Sequence, residues 1–228
     1  MIPVLKVISE QEAIFLRRPN RFLAVVRLAN GQEVEAHVHD PGRLPQLLYP
    51  GARVVLKRAN NPRRRTRWSL LAAKHANQWV FINSGYHRAL TEKILRKPNL
   101  FPLAPLKKII AEPQVENGRL DYLLLTEKGE KIFVEVKGCT MAQGKMALFP
   151  DAPTTRGSRH LKTLLSLKRQ GFEALLWVLV FRPETKYFAP AADIDPCFAR
   201  IFEEALEGGV QLITMWFSYD RQWLKIRP

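Results

Sequence analysis

Two acidic residues and a lysine lie on neighbouring segments that have the pattern of a β-hairpin. Asp121 precedes an apolar run, and Glu135 and Lys137 are two residues apart in the next one. If residues 127–129 form a three-residue loop in which Gly129 adopts a positive φ, Asp121 falls roughly opposite Glu135. Because side chains alternate between the faces of a strand, Glu135 and Lys137 project from the same face.

Two carboxylates that face each other across a hairpin repel, at a cost of a few tenths to about 1 kcal/mol. A divalent cation relieves that repulsion, and Mg²⁺ or Mn²⁺ can bridge carboxylates to a phosphate. Lys137 would then position an attacking water or stabilise developing negative charge. The alternative is an ordinary hairpin in which Lys137 neutralises a solvated Glu135. Glu92 and Glu112 are additional candidate metal ligands, although each, judged singly, is more typical of a surface residue.

The charge balance indicates an anionic partner. Lys and Arg outnumber Asp and Glu by 36 to 21, for a formal net charge of +15, and nucleic acid is the common intracellular polyanion. Residues 1–80 hold 14 Lys or Arg against 5 Asp or Glu. A cluster of arginines with one aromatic residue and one upstream lysine suits phosphate contact and base stacking; the alternative is a solvated turn before a core tryptophan. The residues of this basic cluster are Lys57, Arg63, Arg64, Arg65, Arg67 and Trp68.

A second group of basic residues lies at the start of a predicted helix. Backbone N–H groups at a helix N-terminus favour anions, so Arg156, Arg159 and His160 are expected to hold a phosphate near the carboxylates. His160 is also a candidate proton carrier, because imidazole titrates near neutrality. A hydrogen-bonded structural histidine is the more common alternative.

Membrane and secreted classes are not indicated. The longest apolar run, residues 174–181, is shorter than the about 20 residues that a membrane span needs. We find no convincing amphipathic membrane-binding helix and no secretory leader, and we expect a cytoplasmic protein without a membrane partner.

The elements that must position these residues divide near residue 83. Residues 1–82 contain five predicted strands separated by turn signals, which is typical of a small β-barrel. These strands cover residues 21–28, 33–39, 53–57, 67–74 and 79–82. Residues 83–228 alternate strands and helices in an α/β pattern. The predicted helices cover residues 86–96, 158–170 and 196–207, and the predicted strands residues 107–111, 119–125, 131–137, 174–181 and 210–217.

The chain resembles the sugar fermentation stimulation protein A (SfsA) family along nearly its whole length. The segments that carry the resemblance are residues 21–24, 41–44, 118–122, 133–137 and 149–161. Arg43, in the second segment, is a further candidate nucleic-acid contact. The chain has His39-Asp40-Pro41-Gly42 where the family often has Asn-Thr-Gly.

The resemblance implies an N-terminal OB-fold-like barrel and a C-terminal domain similar to the PD-(D/E)XK nucleases, with the nuclease motif on Asp121, Glu135 and Lys137. It also implies DNA binding without strong sequence preference and a role in regulating sugar metabolism. In such nucleases a Glu on the first helix often joins the metal shell, which matches Glu92 by position, and Glu112 competes for that role. Two alternatives stay open: a metal-dependent nuclease, and a non-catalytic DNA-binding regulator that keeps the nuclease fold. RNA binding and oligomeric state also stay open.

Overall fold

The computed structural model describes residues 1–61, 63–97, 99–103, 105–116 and 118–227. The strands up to residue 82 are β1 (Ile2–Lys6), β2 (Gln11–Asn20), β3 (Leu23–Leu28), β4 (Glu33–His37), β5 (Arg53–Arg58), β6 (Trp68–His75) and β7 (Gln78–Phe81). The helices are a 3₁₀ turn (Ser84–Tyr86), α1 (His87–Leu95), α2 (Thr155–Arg169) and α3 (Pro196–Glu207). The later strands are β8 (Leu106–Ala111), β9 (Gln114–Val115), β10 (Gly118–Arg119), β11 (Tyr122–Thr126), β12 (Lys131–Cys139), β13 (Met141–Gln143), β14 (Met146–Phe149), β15 (Glu173–Val180), β16 (Tyr187–Pro190), β17 (Gln211–Tyr219) and β18 (Trp223–Ile226).

Five strands of the N-terminal part close into a barrel. The order is β4-β3-β2-β5-β6, and β4 returns to β6 through the parallel partners Ala36↔Trp68 and His37↔Ser69. Closure leaves no free sheet edge, and alternate side chains fill the interior. The predicted OB-fold-like barrel is confirmed. Its membership differs from the prediction, because β2 was not expected and β7 extends from β6 outside the ring.

The C-terminal part is built on a second set of strands in the order β8-β11-β12-β15-β17-β18-β1. Strands β12, β15 and β17 are parallel, and the flanking strands are antiparallel. Strand β15 lies near the centre and is buried on both faces, which explains its continuous apolar sequence. Strand β1 pairs with β18 and therefore lies on this sheet, although it begins the chain. The division near residue 83 stays a prediction.

Helices cover both faces of this second set of strands. Helices α2 and α3 pack against one face, where Leu164 and Phe198 join a core that includes Leu176. Helix α1 packs against the other face, where Leu90 joins the core that contains Trp177. This arrangement confirms the predicted α/β domain. No helix within the described residues is long and apolar enough to cross a membrane.

The central tryptophan of β15 provides a test of this architecture. Trp177 is fully buried and lies 4.6 Å from Phe101, between ring centroids. We expect Trp177→Ala to lower the free energy of unfolding by about 3–5 kcal/mol, because it leaves a large cavity in the core. Urea denaturation followed by circular dichroism measures this change. The matched control is Trp79→Ala, which removes a partly exposed ring at the margin of the core; equal losses in both variants would contradict the packing described here.

Candidate functional site

The two candidate carboxylates are brought together by the register of one hairpin. Tyr122 pairs with Val134 across β11 and β12, so the preceding residue, Asp121, falls opposite Glu135. The N–H of Asp121 donates to the carbonyl of Val134 at 3.1 Å. Gly129 in the connecting loop has a φ of 87°, a conformation that glycine adopts at little cost. The predicted loop and the predicted register are both confirmed.

Glu135 is a buried carboxylate held by one of its oxygens. Its residue is only 3% exposed. Atom Oε1 accepts a hydrogen bond from Nζ of Lys137 at 2.5 Å and a second one from Nδ1 of His160. Atom Oε2 is buried and has no hydrogen-bond partner among the described residues. A solvated surface ion pair, the alternative considered for this hairpin, does not describe a carboxylate buried in this way.

The two carboxyl groups titrate in opposite directions. Burial and the charge of Glu135 raise the pKa of Asp121 to about 6, despite the hydrogen bond that its Oδ2 accepts from the N–H of Val136 at 2.7 Å. Burial alone would raise the pKa of Glu135, but the hydrogen bond from His160 and the charge of Lys137 outweigh burial and lower it. The site therefore keeps a negative charge on Glu135 and disfavours a second one on Asp121. A bound cation would remove that conflict.

The donor set fits a hard divalent cation. A buried oxygen without a partner costs free energy, and Oε2 of Glu135 is such an atom beside a second carboxyl group. The described residues contain no group of three or more His, Cys, Asp or Glu side chains that could hold a metal ion. Two protein carboxylates are nevertheless sufficient for Mg²⁺, which usually takes one or two carboxylates and fills its other positions with water and substrate phosphate.

The carboxylates line a cleft of about 490 Å³. Its other charged wall residues are Arg88, Glu112, Lys137, Arg156 and Asp40. The cleft wall therefore contains both carboxylates, which can bind a cation, and positively charged side chains, which can bind a phosphate.

Of the two additional candidate ligands, the structure brings only Glu112 to the cleft. The backbone N–H of Glu112 donates to the carbonyl of Asp121 at 3.0 Å, which fixes the two residues side by side. Glu92 lies on α1 and is paired with Arg88 at 3.0 Å; it is not among the residues that line the cleft. Arg88 also holds Glu112, at 2.8 Å, so either glutamate must give up an ion pair before it can bind a metal.

The start of α2 supplies Arg156 and His160 to the site. Nε of Arg156 donates to Nε2 of His160 at 3.4 Å, which leaves Nδ1 of His160 to donate to Glu135. The imidazole is buried and serves as a connector in this arrangement. Arg159, on the same helix turn, is exposed and does not line the cleft.

The end of α2 that carries Arg156 is fixed by two hydrogen bonds. Oγ1 of Thr154 accepts the N–H of Gly157 at 3.0 Å and caps the helix. Asp195, the N-cap of α3, accepts the N–H of Thr154 at 2.8 Å. Neither Thr154 nor Asp195 was singled out from the sequence, although a Thr or Asp before a helical pattern is a recognisable cap. Arg88 was also missed, and its only sequence signal is the i,i+4 spacing to Glu92.

The basic cluster lies on the barrel, where three of its arginines are exposed: Arg63, Arg65 and Arg67. Arg64 turns inward, and its guanidinium donates to the hydroxyls of Ser69 and Thr66 at 3.0 and 3.1 Å.

Two other members of the cluster, Trp68 and Lys57, each take part in a cation–π contact. Trp68 begins β6 and is half-buried, with the guanidinium of Arg58 5.2 Å from its ring centroid. Lys57 lies 5.9 Å from the ring of Tyr86. Arg43, on the loop after β4, is exposed.

Two family models match the chain. The SfsA N-terminal OB domain matches residues 16–82, and the Sugar fermentation stimulation protein RE domain matches residues 85–223. Together they cover the barrel and the α/β part that contains the carboxylate hairpin.

Curated relatives match over almost the full length of the chain. A sugar fermentation stimulation protein homolog of Thermosipho melanesiensis is 40% identical over 98% of this chain and 95% of its own. A homolog of Thermotoga petrophila is 44% identical over 95% of this chain and 92% of its own. The solved structure of Pyrococcus furiosus SfsA in complex with Ca²⁺ has a TM-score of 0.92 and 32% identity, and the match covers 100% of this chain and 97% of that one. The resemblance predicted from the sequence is confirmed.

A histidine in the cleft wall should make stability depend on pH. The ring of His87 lies 5.2 Å from that of Phe181 in a stacked arrangement, and burial lowers the pKa of His87 to about 4 from its ordinary 6.5. As the pH falls from about 6.5 to about 4, the unfolded chain takes up a proton that the folded chain does not, so stability is lost over that range. At pH 5 we expect a loss of up to about 2 kcal/mol relative to pH 7.

The measurement compares His87→Phe with the unmodified protein by urea denaturation at pH 7 and pH 5. Phenylalanine keeps the stacked ring and removes the titration, so this variant should lose less stability between the two pH values. The same loss in both proteins would exclude His87 as the cause.

Proposed function

The chain belongs to the SfsA family, and we propose that it is a DNA-binding protein whose carboxylate hairpin is a divalent-metal-dependent nuclease site. The observation that carries this proposal is the buried Oε2 of Glu135, which lacks a partner among the described residues and lies beside Asp121 in a cleft that Lys137 and Arg156 also line. A buried ionised side chain is costly, so it is found where other groups compensate its charge or where the activity of the protein needs that charge. Lys137 and His160 compensate only one oxygen of Glu135.

Asp121 and Glu135 would hold the metal ion, with Mg²⁺ or Mn²⁺ as the expected species. Pyrococcus furiosus SfsA has been solved in complex with Ca²⁺, another cation that prefers oxygen ligands, and this supports the proposal. When bound, a divalent cation supplies Lewis-acid polarisation of a phosphate oxygen. Glu112 neighbours Asp121, because their backbones are hydrogen-bonded, but its carboxylate is paired with Arg88 and does not complete a group of three acids in the described part of the chain.

Three other side chains of the site would orient Glu135 or bind phosphate. His160 and Lys137 hold Glu135 in one orientation, because both contact its Oε1. The ammonium of Lys137 is on the cleft side and would contact the phosphate or stabilise charge that develops during hydrolysis. Arg156 lines the same cleft at the start of α2 and would neutralise a neighbouring phosphate.

DNA is the proposed partner because the positive charge is distributed over a surface and not confined to a small-molecule pocket. The net charge is +15, and three exposed arginines lie on the barrel. Phosphate contacts of this kind bind without reading sequence. RNA as an alternative partner, a cytoplasmic location and a link to sugar metabolism stay predictions.

The direct test is metal-dependent cleavage. Labelled single- and double-stranded DNA is incubated with the protein and Mg²⁺, Mn²⁺ or EDTA. Cleavage should require metal and should fall by at least about 100-fold in Asp121→Asn, Glu135→Gln and Lys137→Ala, because each variant removes a proposed ligand or charge. Glu92→Gln is the matched control and should leave cleavage unchanged. DNA binding without cleavage under every condition would instead support the non-catalytic regulator.

The basic cluster makes a separate prediction about binding. Replacing Arg63, Arg65 and Arg67 together by Ala should weaken DNA binding and reduce the slope of log affinity against log salt by about 2–3, because each lost phosphate contact releases one counterion fewer. Fluorescence anisotropy at 50–300 mM salt, on the order of physiological values, measures this slope.

The control for that measurement replaces three exposed cations of the C-terminal part, Lys128, Arg169 and Arg200, by Ala. This variant has the same net charge as the triple arginine variant. If both triple variants bind alike, affinity depends on net charge alone and the cluster is not the contact surface.

A further inference from the structure

The carboxylate cleft continues toward the turn that joins β2 to β3 on the barrel. A second cavity of about 670 Å³ adjoins it, and the two share seven wall residues, among them Asp40, Ser84, Thr154 and Arg156. The second cavity ends at Arg21 and Phe22, at the turn between β2 and β3. One groove therefore runs from Glu135 to an aromatic residue of the barrel.

Phe22 is exposed in a way that folding does not explain. Its residue is 46% exposed, although phenylalanine is usually buried. The guanidinium of Arg21 lies 5.6 Å from its ring centroid. The ring of His37 lies 6.3 Å away and nearly parallel, at 15°. The exposed ring of Phe22 thus lies beside a second aromatic ring, which suits contact with a base, and beside a guanidinium, which suits contact with a phosphate.

Two histidines extend the aromatic surface from Phe22 into the groove. The ring of His39 meets that of His37 edge to face at 4.3 Å, and His39 lines the second cavity. Burial and the charge of Arg64 lower the pKa of His37, and burial lowers that of His39 to about 4, with smaller contributions from His37 and Arg64. Both rings are therefore neutral near pH 7 and present aromatic surface.

One arginine ties the turn that carries Phe22 to a neighbouring loop of the barrel. The guanidinium of Arg18 donates to four backbone carbonyls, those of Arg21, Asp40, Gly42 and Arg43, at 2.5–2.9 Å. These bonds tie the turn that carries Phe22 to the loop that follows β4. That loop is in turn bonded to the C-terminal part, because the N–H of Leu44 donates to Asp151 at 2.8 Å. Phe22 is thus held at a defined place relative to the carboxylates.

We propose that Phe22 and Arg21 form a stacking site for an unpaired base, so that the groove takes single-stranded nucleic acid with one phosphate beside the cation that Asp121 and Glu135 would hold. The proposal rests on the proposed function for the position of that phosphate. Exposed aromatic side chains bind single strands because every unpaired base offers a π face, whereas a duplex hides its base faces in the stack. The groove also carries Arg21, Arg156 and Lys137, which can contact phosphates of the same strand. Each cavity has the volume of a pocket for one small ligand, which suits a few nucleotides of a single strand.

The test is binding of a single-stranded 2-aminopurine oligonucleotide and of its duplex, both in EDTA so that no cleavage intervenes. Phe22→Ala should weaken binding of the single strand by at least about fivefold and reduce the quenching of 2-aminopurine, since a stacked base contributes that much or more. Duplex binding should change by less than twofold, roughly the error of such assays. Phe22→Trp should restore both single-strand signals, because it keeps an aromatic face.

The matched control is Tyr49→Ala, which removes an aromatic residue of similar exposure, 49%, elsewhere on the barrel. Unchanged single-strand binding in Phe22→Ala, or equal weakening for single strand and duplex, would overturn the stacking site. Absence of any single-strand binding by the unmodified protein would overturn it too. These outcomes are independent of cleavage: a protein that never cuts DNA but depends on Phe22 would refute the nuclease proposal and keep the stacking site.

Discussion

A carboxylate that is almost completely buried is the constraint on which the rest of the site depends. Removing an ionised group from water costs several kcal/mol unless other groups compensate it. Glu135 stays ionised because Lys137 and His160 both contact one of its oxygens. Lys137 does so because strand alternation puts residues two apart on the same face. His160 does so because α2 crosses that face, and the caps of Thr154 and Asp195 fix where α2 begins.

The cleft lies between the barrel and the C-terminal part of the chain, and hydrogen bonds hold these two walls together. The barrel contributes the wall that contains Asp40, and this wall is bonded to the C-terminal part. Besides the contact of Leu44 with Asp151, Gln46 exchanges two hydrogen bonds with the backbone of Ala142, at 2.8 and 3.1 Å. Gly42 lies so close to Asp151 that an added Cβ would be 2.5 Å from its carboxylate oxygens. The barrel loop therefore has little freedom to move away from the carboxylates.

Local sequence signals were sufficient for the hairpin and for α3, whereas α2 begins at Thr155, three residues before the predicted start at residue 158. Gly129 sets the loop, the loop sets the register, and the register places Asp121 opposite Glu135. The bounds of α3 agree with the prediction because Asp195, Pro196 and Gly208 mark both ends of the helix.

Contacts between residues distant in the chain could not be predicted in the same way. Strand β1 pairs with β18, more than 200 residues later, and no local pattern indicates that partner. Strand β2 was missed because two arginines and a proline interrupt its second half. The preference for Glu112 over Glu92 depends on a backbone hydrogen bond to Asp121, which sequence spacing does not reveal. The cap of α2 by Thr154 was visible in the sequence, but its anchor on Asp195 was not.

The central claim is that Asp121 and Glu135 together bind a divalent cation. An anomalous-difference map from crystals of the protein soaked in Mn²⁺ tests it directly, without requiring turnover. The account predicts a peak within coordination distance, roughly 2.0–2.6 Å, of a carboxylate oxygen of each residue, with Oε2 supplied by Glu135. A map without a peak there under saturating Mn²⁺, with Glu135 still held by Lys137 and His160, would contradict the account and favour the proposal of a non-catalytic regulator.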